Sequence, residues 1–322
     1  MNKICIIGVY FGKFNNYFSL WLKSCRYNPK VDFRIYTDAV YDGALPENVT
    51  FIEMTMDHFR ELATKKLGVK VNMTRPYKCC DLKPMYGLIF EDDIFNYDFW
   101  GECDFDLIWG DLSSFFDKYN LSSYDKFSPL GHLSLYRNTR EINRSFMLDG
   151  DKCGGWKYVA QTDESFAFDE ISGICEIFQK HNLSFFKKKL FADITPVYHR
   201  YKLSEYCFLD DDMQINYDYQ VFYWEEGKVY RAYLKPNNAI VKEELMYIHF
   251  RSRPNFTVSE DLYGCSSFYI TNVGFYPKNS EVTKEHIQKY NHFKSSLSEI
   301  IELISYKMLS WKKRVNRKFR HA

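Results

Sequence analysis

Asp104-Phe105-Asp106 is the segment of this chain best suited to do chemistry. Two carboxylates one residue apart at the end of an apolar strand face the same side, while the phenylalanine between them turns back toward the core. Such a pair suits a divalent cation, Mn²⁺ or Mg²⁺, that bridges the oxygens of a diphosphate and neutralises the charge that builds up as the diphosphate leaves. The pattern is short, and Asp149-Gly150-Asp151 and Asp210-Asp211-Asp212 also match it. Its flanks set the first apart: an aromatic strand precedes it and Leu107-Ile108-Trp109 follows, where the other two read as solvated loops. The plainer alternative is a pair of surface acids capping Asp111-Leu112-Ser113-Ser114.

Other residues could join such a site. His249 lies between Ile248 and Phe250 in an apolar strand, where a histidine is commonly a satisfied core residue; imidazole with two carboxylates also suits Mn²⁺. Arg251 and Arg253 beside it could hold a diphosphate. Lys78, Asp81 and Lys83 form either a polar cluster around a sugar or phosphate, or an ordinary ion-pair face on a helix. Asp163 and Glu164 fit acids at a helix start. Asp169 sits further in and could hold an acceptor hydroxyl or act as general base. His132, after Gly131, faces the same cleft or packs. No Gly-x-x-x-x-Gly-Lys-Ser/Thr loop, Gly-x-Ser-x-Gly elbow or His-Glu-x-x-His helix occurs, which removes phosphate-loop NTPases, serine hydrolases and zinc proteases of those types.

These residues need elements to position them. Lys3 to Val9 is a continuous apolar run of the kind that forms a strand buried on both faces. Tyr17 to Cys25 then repeats apolar residues at helical spacing. Phe33 to Thr37 and Val49 to Met54 read as strands, and Asp57 to Leu67 as a helix. Alternation at this spacing predicts an α/β chain, a Rossmann-like mostly parallel sheet flanked by helices. Ligands of such sheets bind beyond the carboxyl ends of the strands, so Tyr10-Phe11-Gly12 and Thr37-Asp38 stand where a nucleotide would sit. Pro76 to Phe90 predicts a helix interrupted or begun at Pro84. Tyr97 to Cys103 and His132 to Tyr136 predict strands, with a helix start at Asn138-Thr139. Ser165 to His181 predicts a helix with Phe166, Phe168, Ile171, Ile174, Ile177 and Phe178 on its apolar face. Gln220 to Trp224 and Lys228 to Tyr233 flank Glu225-Glu226-Gly227 as a hairpin in a small mixed β region. Tyr247 to Phe250 reads as a last buried strand, and an amphipathic helix runs from about Glu281.

Composition narrows the class. The 322 residues hold 43 Lys+Arg against 42 Asp+Glu, a net charge of +1 that argues against nucleic acid as a partner. Aromatics make up 19% of the chain; most are core, and Tyr10, Phe11, Trp109 and Trp224 are the ones expected to stack on a polar ligand, a uracil or a sugar face if the resemblance described below holds. Nine cysteines without a Cys-x-x-Cys spacing predict reduced thiols. The N-terminal apolar run is too short for a secretory core, and none is long enough to cross a bilayer. A cytoplasmic location is therefore expected. The segment from Lys312 to Arg320 has six Lys/Arg and no acid, after Leu303, Tyr306, Met308, Leu309 and Trp311. It reads as a solvated tail or as a contact with anionic lipid headgroups, which the resemblance described below implies would hold the protein peripherally at the inner face of the bacterial cell membrane.

Together, the strand ending in Val9-Tyr10-Phe11-Gly12, the strand ending in Thr37-Asp38, the Lys-x-x-Asp-x-Lys-Pro segment and Asp104-Phe105-Asp106 resemble glycosyltransferases of the GT-A fold. Lys78 to Gly87, Trp100 to Asp111 and Tyr247 to Arg253 are similar to a bacterial family of capsule and surface-polysaccharide operons, the WciN-type galactosyltransferases. The resemblance covers residues 1–275, with a nucleotide-sugar half at 1–112, an acceptor half at 113–275 and a basic helical tail at 281–322. It implies transfer of a hexose, galactose or glucose, from a UDP-sugar, with Mn²⁺ or Mg²⁺ at Asp104 and Asp106 and His249 as a further ligand. It implies that Tyr10, Thr37 and Asp38 contact uridine, and that Lys78, Asp81 and Asp169 meet the donor sugar or the acceptor. The acceptor implied is an oligosaccharide on a polyprenyl diphosphate at the inner membrane face. The chain lacks the C-terminal His-x-x-Gly-x-x-Lys-Pro-Trp of family-8 glycosyltransferases, so their mechanism does not transfer. Two competing readings are a sugar-phosphate nucleotidyltransferase, for which Tyr10-Phe11-Gly12-Lys13 barely supplies the Gly-rich basic loop, and a noncatalytic glycan-binding protein at a membrane surface.

Overall fold

The structure, a computed structural model, describes residues 2–195, 203–204, 215–251, 256–259, 262, 264–290 and positions 297, 300, 301, 304, 305 and 308. The chain divides into two units, Met1–Leu190 with Cys207–Asp211, and Phe191–Tyr206 with Asp212–Ala322.

In the first unit the apolar run becomes β1, Ile4–Tyr10, the strand that organises the sheet. Its neighbours, both parallel to it, are β2 (Val31–Thr37) and, across it, β4 (Phe99–Cys103). Strand β3 (Val49–Glu53) adds in parallel outside β2. Beyond a short β5 (Leu107–Trp109), β6 (Lys126–Leu130) and β7 (Leu133–Arg137) form an antiparallel pair, with β7 antiparallel to β4 and β8 (Phe185–Phe186) parallel to β6. The order is β3-β2-β1-β4-β7-β6-β8. Helix α1 (Phe18–Arg26) connects β1 to β2 and buries Phe18, Leu20, Trp21, Leu22 and Cys25. Helix α2 (Met56–Leu67) follows β3, starting where Thr55 accepts a hydrogen bond from the His58 amide and ending at Gly68 in the left-handed conformation, φ 67°.

Two predicted helices are broken up. Pro76–Lys78 is a 3-10 turn, followed by α3 (Cys79–Leu82), a 3-10 turn at Lys83–Met85, α4 (Tyr86–Ile89) and α5 (Glu91–Ile94). Pro84 cannot donate a helical hydrogen bond and clashes with the carbonyl four residues back. Gly87 lets this segment approach β4, since a Cβ there would lie 2.5 Å from the Trp100 ring. After α6 (Leu112–Lys118), capped by Asp111 and not by Asp104 or Asp106, and α7 (Trp156–Gln161), the stretch expected as a helix from Ser165 to His181 is regular only in α8 (Glu176–Lys180). Ala167 is left-handed (φ 54°), and Gly173 departs from helical geometry because its Cα approaches the Phe168 carbonyl so closely that a Cβ would lie 2.0 Å from the oxygen. Phe168, Ile174, Ile177 and Phe178 are fully buried. Their spacing thus reflects packing into one core rather than a helical stripe. Strand β6 escaped the sequence reading because Pro129 and the left-handed Ser128 (φ 78°) sit within it, at a register irregularity.

The second unit begins with β9 (Ala192–Asp193). The predicted hairpin is present as β10 (Gln220–Glu225) and β11 (Lys228–Leu234), with both loop residues at positive φ, Glu226 47° and Gly227 87°, as a type I′ turn requires. It belongs to a sheet larger than the hairpin indicated. With β12 (Ile240–Leu245), β14 (Thr257–Val258), β15 (Ser267–Ile270) and β16 (Gly274–Pro277), the order is β12-β11-β10-β15-β16-β14. Strand β13 (Tyr247–His249) pairs in parallel with β9. Helix α9 (Lys284–Tyr290) buries Ile287 against Val221, Tyr223, Ala232 and Tyr269. Further on, Leu297, Ile300, Ile301, Ile304 and Met308 are helical and exposed, at a spacing that lines one face. Among the described residues no helix is long and apolar enough to cross a membrane.

Trp109 and Trp224 correct an expectation. Both are fully buried, Trp109 against Trp21 and Phe33, and Trp224 stacked on Phe268, so neither offers a face to a ligand.

Candidate functional site

The chain leaves β1 toward β2 and β3, then crosses back to place β4 on the other side of β1. At such a switch point the loops after β1 and β4 diverge and leave a crevice at the carboxyl edge of the sheet. Tyr10 to Gly12, Thr37-Asp38 and Asp104 to Asp106 all follow strands at this edge. Because β7 runs antiparallel to β4, with Leu133 opposite Cys103, Gly131 and His132 arrive there as well, and the Asp104 amide donates to the His132 carbonyl at 3.2 Å.

Phe105 wedges the two carboxylates apart from the core. It is buried, its ring so close to Gly8 that a Cβ there would lie 2.4 Å away, and it packs among Tyr10, Phe14, Phe18 and Trp21. Asp104 and Asp106 on either side are half-buried. The Tyr10 ring stacks on Phe14 at 4.8 Å and its hydroxyl donates to the Lys13 carbonyl at 2.9 Å. That hydroxyl is pushed up by desolvation and then by the Asp106 charge.

Lys83 is the centre of the site's electrostatics. Its buried ammonium donates to Asp104 Oδ1 at 2.5 Å and to the Gly131 carbonyl at 2.6 Å, with Asp169 Oδ2 and Glu102 Oε2 each at 3.7 Å. Burial lowers its pKa, but Asp104, Cys80, Glu102 and Asp169 outweigh burial and hold it well above the ordinary value. Burial also pushes the Asp169 carboxyl well up, against Lys83 and together with Glu170, Asp104 and Asp81. Glu102, fully buried on β4, is pushed up in the same way; among the described residues neither of its oxygens has a hydrogen-bond partner, which favours the neutral acid. Gly131 makes the cluster possible: a Cβ on it would lie 2.2 Å from Asp169 Oδ2.

Lys78 and Asp81 stand one layer back. The Lys78 ammonium is 3.0 Å from Asp81 Oδ2 and donates to the Glu164 carbonyl at 2.6 Å. Asp81 accepts from the amides of Phe166 (3.0 and 3.1 Å) and Phe168 (3.1 Å). These bonds fold the loop that delivers Asp169, so the pair acts through position. The loop is pinned again at its start, where the Thr74 amide and hydroxyl donate to Asp163 and Arg75 Nη2 donates to the Asp163 carbonyl at 2.9 Å.

Thr37 is buried and its Oγ1 accepts from the Ala39 amide at 3.0 Å; Asp38 accepts from the Gly12 amide at 2.8 Å, tying the loops after β1 and β2 together. Phe11 is buried, 6.0 Å from Phe59 between ring centroids, and so is a core residue and not a stacking face. His132 is buried. In the second unit, His249 Nδ1 is 2.8 Å from Asp193 Oδ1, and Arg251, at φ 49°, grips both Asp193 oxygens through Nε at 3.0 Å and donates again through Nη2. Asp193 thus fixes which imidazole nitrogen carries the proton and holds the guanidinium that was expected on a diphosphate. Arg253 and the basic segment from Lys312 to Arg320 lie outside the described residues.

Sequence reasoning passed over Glu102, Gly131 and Asp193. A glutamate within Trp100-Gly101-Glu102-Cys103 was the available signal for the first, because a charge in a buried strand needs a compensating partner.

A family model described as "Family of unknown function (DUF6625)" matches residues 6–279. No curated protein matches the chain in sequence. Among solved structures, the galactosyltransferase LgtC in complex with donor and acceptor sugar analogs shows a TM-score of 0.39 at 9% identity, covering 77% of this chain and 87% of that one. An active-site mutant of LgtC gives 0.37 at 9% identity over 76% and 86%. The glycosyltransferase GlyE of Streptococcus pneumoniae TIGR4 gives 0.30 at 12% identity over 58% and 45%.

Proposed function

The chain belongs to the DUF6625 family of unknown function, and we propose that it is a metal-dependent glycosyltransferase of the GT-A type, moving a hexose, galactose or glucose, from a UDP-sugar to a lipid-linked oligosaccharide. The observation that carries this reading is the placement of Asp104 and Asp106 at the carboxyl end of β4, beside the switch point with β1, with Phe105 locked into the core between them. Half-buried carboxylates offer the oxygen donors that Mn²⁺ and Mg²⁺ prefer. When bound, such an ion would offset the charge of the departing diphosphate.

The protein's own groups divide the remaining work. Asp104 and Asp106 hold the ion, and Lys83 balances the carboxylates packed around it. Tyr10 and the loops tied by Asp38 frame the nucleoside. Asp169, brought forward by Lys78 and Asp81, orients an acceptor hydroxyl. The resemblance to GT-A enzymes further assigns His249 to the ion and Arg251 and Arg253 to the diphosphate, and His249→Ala tests the first assignment separately. A polyprenyl-diphosphate acceptor of capsule or surface-polysaccharide synthesis fits a peripheral membrane protein, and the exposed stripe from Leu297 to Met308 ahead of the basic run supports that placement.

Screening UDP-galactose, UDP-glucose and their N-acetyl forms for Mn²⁺-dependent release of UDP tests the proposal. Release from at least one donor is expected. No release from any, even with a lipid-linked acceptor present, would overturn it.

A further inference from the structure

The turn that brings Gly131 and His132 to the site is held by side chains more than by its strand ladder. Strand β6 pairs with β7 through Lys126 opposite Tyr136 and Phe127 opposite Leu135, and pairing resumes only at Leu130 opposite Leu133. Ser128, left-handed at φ 78°, and Pro129 fall between these pairs. Five consecutive carbonyls of the turn nevertheless each have a donor. The Ser128 carbonyl accepts from the Lys126 ammonium at 2.5 Å, the Pro129 carbonyl from the Cys175 thiol at 3.2 Å and the Leu130 carbonyl from the Ser134 hydroxyl at 3.1 Å. The Gly131 carbonyl accepts from Lys83 at 2.6 Å and the His132 carbonyl from the Asp104 amide at 3.2 Å.

Lys126 stands at the root of this arrangement. It is fully buried, its ammonium donates a second time to the Ser134 hydroxyl at 2.8 Å, and the Phe185 and Tyr136 ring centroids lie 4.8 and 5.4 Å from it. Among the described residues no carboxylate forms an ion pair with it. Burial lowers its pKa, so the charge is kept against desolvation. A buried ammonium that serves a carbonyl and a hydroxyl is a costly way to close a hairpin, where a small polar residue or a water would do the same. This hairpin differs in what it leads to. Its next two carbonyls meet Lys83 and Asp104, and at Gly131 a Cβ would lie 2.2 Å from Asp169 Oδ2. The thiol on Pro129 comes from Ile171–Cys175, the stretch that follows Asp169, so the turn is tied to that residue's own segment as well.

We propose that Lys126 is a positioning residue of the site: by joining the Ser128 carbonyl to the Ser134 hydroxyl it fixes the turn from Ser128 to His132, and through that turn the spacing of Lys83, Asp104 and Asp169. Its effect on turnover rests on the glycosyltransferase reading; the fixing of the turn does not. A shift of about 1 Å in positioned groups lowers turnover by roughly a hundredfold.

The test replaces Lys126 by methionine, which keeps an unbranched side chain and removes the donor, with Ile94→Val, a core truncation in α5, as the stability control. Both readouts are taken on the full chain at a temperature where each variant stays folded. Amide exchange at Asp104, whose N–H bonds the turn, should rise about tenfold in Lys126→Met beyond any rise in the control. In Mn²⁺-dependent release of UDP, kcat per folded molecule should fall by roughly a hundredfold while KM for the donor stays within about threefold. Unchanged exchange at Asp104, or a kcat that falls no further than the folded fraction does, would overturn the role. Glu102 stands opposite Ser134 in the β4–β7 register, and recovery of Lys126→Met turnover by Glu102→Gln would show an ammonium that merely balances that acid, overturning it equally. Faster exchange at Asp104 in a protein that releases no UDP from any donor would leave the fixing of the turn standing and remove the enzyme.

Discussion

Replacing Gly131 by alanine should disarm the site while the fold survives. An alanine Cβ would lie 2.2 Å from Asp169 Oδ2 and 2.6 Å from its Cγ, where ordinary contact begins at 3.4 Å. The carboxylate meets it first and retreats by about 1.2 Å, loosening its 3.7 Å approach to Lys83, while the Asp169 Cβ at 3.0 Å adds a smaller crowding that its backbone takes up. A misplacement of about 1 Å in a positioned group lowers turnover by roughly a hundredfold. The accompanying strain costs about 1–3 kcal/mol, a lowering of the melting temperature by about 2–4 °C for each kcal/mol in a chain of this class. The assay is steady-state UDP release with acceptor, read beside a thermal melt. Since the clash is with Asp169 itself, Gly131→Ala should add little to the loss already present in Asp169→Ala. Turnover of Gly131→Ala within twofold of wild type, or an undiminished effect in the Asp169→Ala background, would refute the reasoning.

Glu102→Gln tests the buried acid. Burial holds the folded Glu102 carboxyl above its ordinary value of 4.5, so the unfolded chain ionises first as pH rises. Wild-type stability therefore falls from about that pH up to the raised folded value, and the melting temperature of Glu102→Gln should gain on wild type across the same window; a difference independent of pH would contradict this. Asp81→Asn leaves Lys78 buried without its counter-charge and weakens the bonds to Phe166 and Phe168; it should cost about 3–5 kcal/mol. Amide exchange at Phe166 and Phe168 should also accelerate, and unchanged exchange would show that Asp81 does not hold the loop. Truncation after Ser310 should reduce binding to anionic vesicles relative to the full chain, whereas equal binding would show that the basic tail does not touch lipid.

The parallel half of the first sheet was readable because strands buried on both faces are written as unbroken apolar runs, as in Ile4 to Val9. Asp104-Phe105-Asp106 was readable for a related reason: alternation along a strand end sends Phe105 inward and leaves the acids outward. What lay beyond reading was mostly long-range. The Ser165 to His181 stretch carries apolar residues at helical spacing, yet an aspartate more than eighty residues earlier takes two of its amides and Gly173 breaks its course. Lys83, Asp104, Gly131 and Asp169 meet only because β7 returns antiparallel beside β4, which no local pattern announces. Trp109 and Trp224 misled because the amphipathic character that suits a ring to sugars equally suits it to a core.

The central claim is that Asp104 and Asp106 hold a divalent cation against the diphosphate of a sugar nucleotide. Its most direct measurement is Mn²⁺-dependent release of UDP from UDP-galactose or UDP-glucose by wild type, Asp104→Asn and Asp106→Asn, each read beside a thermal melt at a temperature where it stays folded. The account predicts turnover that requires the metal in wild type and disappears in both variants, with the melt lowered in Asp104→Asn, which weakens the partner of the buried Lys83, and little changed in Asp106→Asn. Metal-dependent turnover retained in both variants would contradict it.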